Sequence, residues 1–127
     1  MRAAWILGVV LAVTCVPLAA AVEDPHGIGY DGHDWKRMSE PERYAYVSGF
    51  LAGAIAQEAI ERHQAKQSVA IDSVVQELLR THASTFPFGA NAYTSDLSDY
   101  YFYTNNLPTK IYRALIDENT EMRKGPK

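Results

Sequence analysis

The feature that most constrains this fold is a stretch of 14 residues, 44–57, that contains no charged side chain. At helical spacing, larger apolar side chains share one face of it, namely Tyr44, Val47, Phe50, Leu51, Ala54 and Ile55. Small residues share another face, namely Ala45, Ser48, Gly49, Ala52, Gly53, Ala56 and Ala59. Because a helix without a polar side is normally a buried helix, the pattern predicts a central helix packed on both sides.

The glycines on this helix have a physical implication. Gly49 and Gly53 would each cost about 1 kcal/mol relative to alanine in a helix interior, so we expect a backbone to approach them closely. We call Ala45, Gly49, Ala52, Gly53 and Ala56 the small-residue face. Its neighbour can be another part of the same chain or a second copy in a homodimer, and the sequence leaves both open.

Capping and periodicity set the bounds of the other elements. The box Ser39-Glu40-Pro41-Glu42 predicts that the central helix runs from Ser39 to about His63. Apolar spacing predicts three more helices, at about Val69–His82, Asp96–Asn105 with Ser95 as N-cap, and Pro108–Met122. The predicted fold is therefore an all-α domain, a small bundle of about four helices around the Gly/Ala-rich one.

The N-terminal region has the order of a secretory signal peptide. Arg2 precedes an apolar run over 3–13, and the small residues 19–21 precede acidic ones. We therefore expect residues 1–21 to be cleaved, residues 22–38, with three glycines and a proline, to form a flexible N-terminal arm, and residues 39–127 to form the helical domain. Such a protein would be periplasmic or secreted, and after cleavage it would have no membrane span.

Charge and motifs argue against several functions. The chain has 12 Lys and Arg residues against 15 Asp and Glu, without a basic patch suited to nucleic acid. It contains no G-x-S-x-G, H-E-x-x-H, Gly-rich phosphate loop or C-x-x-C motif. The sequence therefore identifies no catalytic residue and no cofactor.

The N-terminal arm contains the strongest local chemistry. Two imidazoles and neighbouring carboxylates could gather around Zn²⁺ or a similar ion, with candidate ligands His26, Asp31, His33 and Asp34. No fixed ligand spacing is recognisable, and the pattern favours solvated histidines. A periplasmic metal-binding protein is nevertheless the alternative function.

Aromatic residues are concentrated in the C-terminal half. Six of them form the candidate partner-binding surface, namely Phe86, Phe88, Tyr100, Tyr101, Phe102 and Tyr103. Tyrosine gives a large contact area at low entropic cost and is common in interface hot spots. The same rings could instead complete a thin core, and the sequence leaves both readings open. The main hypothesis is an exported, non-catalytic protein that acts by contact with an unidentified protein partner.

One segment resembles a known group of exported bacterial proteins. In Trp35-Lys36-Arg37-Met38-Ser39-Glu40-Pro41-Glu42-Arg43-Tyr44-Ala45-Tyr46-Val47-Ser48-Gly49-Phe50-Leu51-Ala52-Gly53, a tryptophan and a capping serine precede a helix with the pattern Tyr-Val-x-Gly-Phe-x-x-x-Gly. This segment is similar to immunity proteins of the Rap1a/Tai type. The resemblance implies an all-α periplasmic domain, often dimeric, that binds and blocks a secreted cell-wall amidase.

Overall fold

The computed structural model describes residues 24–66 and 68–125, and the expected signal peptide lies outside these ranges. The described residues form five α-helices: α1 (Gly32–Arg37), α2 (Glu40–Ala65), α3 (Ile71–Thr81), α4 (Ala90–Tyr100) and α5 (Ile111–Met122). A 3₁₀ turn, Thr104–Asn106, lies between α4 and α5. The prediction of a small all-α bundle is confirmed.

The long helix α2 begins where the capping signal predicts. The Glu42 carboxylate accepts hydrogen bonds from the backbone N–H and the hydroxyl of Ser39, both at 2.7 Å. One side of α2 packs on the main core through Val47 and Leu51. Towards its C-terminal end, α3 packs on Ala59 through Val74 and Leu78.

The main core lies between α1, α2, α4 and α5. Its buried members are Trp35, Val47, Leu51, Phe86, Tyr93, Leu97, Tyr101, Ile111, Ala114 and Leu115. A buried polar bridge crosses it, because the Tyr93 hydroxyl donates to Asn119 Oδ1 at 2.7 Å while Asn119 Nδ2 donates to the Thr85 carbonyl at 3.0 Å. This bridge fastens the loop between α3 and α4 to α5.

Two predicted helix starts are wrong, and so is one helix end, because α4 ends at Tyr100 and not at about Asn105. α4 begins at Ala90 after an N-cap at Gly89, so Asp96 lies inside the helix and not at its start. The overlooked sequence signal is the pair Tyr93 and Leu97, two apolar residues at the i, i+4 spacing of one helix face, which are both fully buried in the structure. α5 begins at Ile111 with Lys110 as N-cap, while Pro108 lies in the preceding turn. The predicted bounds of α2 and α3 are correct to within two residues.

The segment predicted as a flexible N-terminal arm, 22–38, contains a helix. Asp31 caps α1 in a reciprocal capping box with Asp34. The Trp35 side chain is 1% exposed, and its ring lies 6.1 Å from the ring of Tyr101. Sequence reasoning missed α1 because six residues are too few to show a period, and because the tertiary contact of one tryptophan stabilises the helix.

The expectation that α2 is hidden on nearly all sides is wrong for the single chain. Every member of the small-residue face is exposed, and an added Cβ at Gly49 or Gly53 would meet nothing within 4 Å. The pattern correctly marked the face as apolar, but the other described elements pack on the opposite side of the helix. The cost of the two glycines, about 1 kcal/mol each, therefore has no compensation within the described chain.

Candidate functional site

The most exposed large apolar side chains lie in the turn that follows α4. Phe102 is 76% exposed and Tyr103 is 65% exposed. Their ring centroids are 5.6 Å apart in an edge-to-face arrangement. We call this pair the aromatic tip. Two adjacent rings exposed to water are unfavourable for an isolated domain. An aromatic side chain that becomes fully buried withdraws about 150–250 Å² of surface from water.

Hydrogen bonds hold the turn that presents the aromatic tip. The Tyr101 hydroxyl donates to the Thr109 carbonyl at 2.9 Å, and the Tyr100 hydroxyl donates to Thr109 Oγ1 at 3.2 Å. Asn106 Nδ2 donates to the Tyr100 carbonyl at 2.8 Å, and the Asn106 backbone N–H donates to the Tyr103 carbonyl at 3.0 Å. These hydrogen bonds therefore fix the backbone of the turn that carries the two rings of the aromatic tip.

Tyr101 is the buried anchor of this turn. It is 1% exposed, and burial, reinforced by Tyr100, raises the pKa of its hydroxyl far above the ordinary value. Behind it, α1 comes so close that a Cβ on Gly32 would lie 2.7 Å from the Leu107 Cα. The Gly32 N–H also donates to the Leu107 carbonyl at 2.9 Å. The turn is thus attached to α1 as well as to α4.

The other predicted partner-binding aromatics divide between core and surface. Phe86 is buried and packs edge-on against Phe50 and Tyr93, with centroid distances of 5.1 and 6.0 Å. Tyr101 also belongs to the core, and Tyr100 is half-buried. Phe88 is 37% exposed and lines a separate crevice of about 210 Å³ with residues of α2 and α3. Of the predicted set, Phe102 and Tyr103 therefore form the accessible pair.

The carboxylates of the predicted metal site are engaged with backbone and side chains nearby. Asp31 Oδ1 accepts from the His33 N–H at 2.9 Å and lies 3.2 Å from His33 Nδ1, while Lys110 Nζ is 3.7 Å from Oδ2. Although partial burial opposes it, these partners lower the pKa of Asp31. Asp34 accepts from the Asp31 N–H and pairs with Arg37.

His26 is exposed, and the neighbouring Asp24 accepts from the N–H groups of Gly29 and Ile28, at 2.5 and 3.1 Å. These bonds, that from Gly29 foremost, lower the pKa of Asp24. Across 24–66 and 68–125, no three histidine, cysteine, aspartate or glutamate residues come close enough together to hold a metal ion. The structure therefore brings Asp31 and His33 together, but it does not assemble the predicted ligands into one site.

Glu58 has a structural role that its sequence position only partly suggested. It lies in line with the large apolar face of α2, near the C-terminal end of that face. Its side chain is 20% exposed, and Oε2 accepts from the Thr85 N–H at 2.9 Å, with Arg62 at 4.0 Å from Oε1. Glu58 thus ties α2 to the loop before α4.

The sequence analysis did not recognise two half-buried carboxylates, Asp96 on α4 and Glu118 on α5. Burial, and then the charge of Asp99, raises the pKa of Asp96. Burial, and then the charges of Asp96, Glu121 and Asp117, raises the pKa of Glu118. The misplaced start of α4 hid this pair, because it put Asp96 at a helix N-terminus, where a carboxylate is favourable.

Among the helices described, none combines the length and the apolar character that a membrane crossing requires. Comparisons of this chain with protein families, curated proteins and solved structures give no match.

Proposed function

We propose that this chain is an exported, non-catalytic helical protein that acts by binding another protein through the aromatic tip. The supporting observation is the exposure of Phe102 and Tyr103 on a turn that hydrogen bonds and α1 hold in place. An exposed apolar patch on a small soluble domain commonly marks an interaction site.

The arrangement suits a binding anchor. A side chain that is already oriented loses less conformational entropy on binding, so more of its contact energy contributes to affinity. Tyr103 combines a large ring with a hydroxyl that can remain hydrogen-bonded at the rim of an interface. Binding hot spots are few, aromatic and clustered, and an adjacent phenylalanine and tyrosine meet that description.

We further propose that the bound protein is a secreted enzyme that attacks the cell wall, and that binding inhibits it. Two sequence features support this part: the resemblance of residues 35–53 to Rap1a/Tai immunity proteins, and the signal-peptide pattern of residues 1–21. The chain would then act in the periplasm or outside the cell, where such an enzyme reaches its substrate.

The test is capture of proteins from the exporting cell by the tagged chain, compared with a Phe102→Ala/Tyr103→Ala variant. Loss of two hot-spot rings should weaken binding of the captured protein about 30-fold or more, corresponding to about 2 kcal/mol. Thermal stability should change little, because neither ring belongs to the core. Tyr44→Ala is the matched control, since Tyr44 is also an exposed aromatic residue, 46% exposed, but belongs to α2 and not to this turn.

Equal capture by wild type and the double variant would reject the aromatic tip as the binding site. Unfolding of the double variant would show that the rings are structural. If a tip-dependent partner is found but has no activity on peptidoglycan, the immunity-like role is wrong while the binding function stands.

A further inference from the structure

A polar cleft of about 520 Å³ lies between the start of α2 and the middle of α4. Two helix faces line it, each with the i, i+3, i+4 spacing of neighbours on a helix surface. The lining residues are Glu40, Arg43 and Tyr44 of α2 and Asn91, Thr94, Ser95 and Ser98 of α4. Because α2 and α4 both contribute to the main core, the two walls of this cleft are held in place without a ligand.

The α4 wall consists entirely of short, uncharged polar side chains. A helix face that is merely solvated normally carries glutamate, lysine and arginine, which are better helix formers than serine, threonine and asparagine. The shorter side chains compete for backbone hydrogen bonds and so disfavour a helix interior. Four such residues on one face of an 11-residue helix lower its intrinsic stability, and a ligand that bonds to their hydroxyl and amide groups would account for them.

Hydrogen bonds leave this wall with both acceptors and donors. The Thr94 hydroxyl donates to the Ala90 carbonyl and the Ser98 hydroxyl donates to the Thr94 carbonyl, each at 2.8 Å. Each hydroxyl has spent its one hydrogen, so its oxygen is left as an acceptor. Within 24–66 and 68–125, the side chains of Asn91 and Ser95 make no hydrogen bond, and both can donate as well as accept.

The α2 wall adds a ring and a balanced pair of charges. Arg43 Nε donates to the Trp35 carbonyl at 2.9 Å, and the guanidinium lies 5.4 Å from the centre of the Trp35 ring, which fixes this side chain while its other N–H groups remain as donors. The charges of Glu40 and Arg43 cancel, so the cleft favours neither an anion nor a cation. Tyr44 is 46% exposed and offers an open aromatic surface.

We propose that this cleft binds a neutral saccharide, with one sugar ring packed on Tyr44 and the sugar hydroxyls hydrogen-bonded to the α4 wall. One face of a sugar ring consists of C–H groups that pack on an aromatic ring, and each sugar hydroxyl both donates and accepts hydrogen bonds. The cleft supplies both kinds of contact and no net charge. The inference goes beyond the proposed function and does not depend on the aromatic tip, whose residues lie outside this cleft.

Titration of the isotope-labelled full chain with cellotriose and with tri-N-acetylchitotriose, followed by amide chemical shifts, tests the site. The two probes distinguish a plain hexose chain from an N-acetylated one. Because the cleft is open to solvent, we expect a Kd on the order of 1 mM for at least one of them. The saturable shifts should be confined to the start of α2 and to α4.

Two variants test the two kinds of contact. Tyr44→Ala removes the ring and should weaken binding about 10-fold. Ser95→Ala removes a free hydroxyl and should weaken binding about 5-fold, although its melting temperature should not fall, because alanine is the better helix former. Ser73→Ala, at an exposed serine of α3, is the matched control and should bind the saccharide as the wild type does.

The absence of saturable shifts with either saccharide up to about 20 mM, or unchanged binding by Tyr44→Ala and Ser95→Ala, would overturn the inference. Equal shifts with triglycine would also overturn it, because the cleft would then be a peptide site. The two proposals fail separately. Tyr44→Ala should lose the saccharide and keep the captured protein, whereas Phe102→Ala/Tyr103→Ala should lose the captured protein and keep the saccharide.

Discussion

Gly32→Ala should be the most damaging single-methyl substitution among the helical glycines described. The added Cβ would collide with the Tyr101 ring and lie 2.7 Å from the Leu107 Cα, against 3.4–4 Å for an ordinary contact. Tyr101 is buried against Trp35, and Leu107 is held by its carbonyl's hydrogen bond to the Gly32 N–H, so neither can yield cheaply. Overpacking of this kind costs about 1–3 kcal/mol, and contact with a backbone atom favours the upper end.

Urea unfolding followed by circular dichroism measures this loss, and a loss of about 3 kcal/mol should lower Tm by on the order of 15 °C. Gly49→Ala and Gly53→Ala are matched controls in open space, and at monomeric concentrations each should stabilise the chain by about 1 kcal/mol. Since Leu107 and Tyr101 belong to the turn that carries the aromatic tip, Gly32→Ala should also weaken partner capture. A change below about 0.5 kcal/mol for Gly32→Ala would refute the proposed packing of α1 against this turn.

Three further perturbations have defined outcomes. Replacing His82, which ends α3 in the left-handed region at φ 51°, by glycine should raise stability by roughly 0.5 kcal/mol in urea unfolding, and a loss would contradict the strain. The raised pKa of Glu118 means that the folded state binds a proton at this carboxylate more readily than the unfolded state does. The stability that protonated Glu118 contributes is therefore fully present below pH 4.5, the ordinary pKa of the group, and is lost as the pH rises through the raised pKa. Glu118→Gln should therefore be more stable than wild type at pH 7 by a few tenths of a kcal/mol, and the gain should fade towards pH 4; a pH-independent difference would contradict this. Calorimetric titration with Zn²⁺ should give no tight binding, because Asp31 and Asp34 are already hydrogen-bonded; tight binding lost in His33→Ala would restore the metal-site hypothesis.

Local signals predicted the fold class and the two best-defined helices. The capping box at Ser39 set the start of α2, and the apolar period of α3 set its length, because both depend on neighbours within one or two turns. α1 and the first turn of α4 were missed because long-range contacts of Trp35 and Tyr93 stabilise them. The candidate site could be predicted only in part. The sequence shows the aromatic enrichment, but only the structure shows that Phe102 and Tyr103 are exposed while Tyr101 and Phe86 are buried.

The sequence by itself determined that residues 44–57 form a helix with one large and one small apolar face, since side-chain direction along a helix follows from position alone. Only the tertiary structure decided which face the chain covers. The other elements contribute enough apolar surface to bury Val47 and Leu51, and the small-residue face is left exposed. In the same way, the number of tyrosines in the sequence predicted a large aromatic contact area. The hydrogen bonds of the turn decided which of these rings point into solvent. Burial depends on what the rest of the chain brings into contact, and no local pattern encodes that.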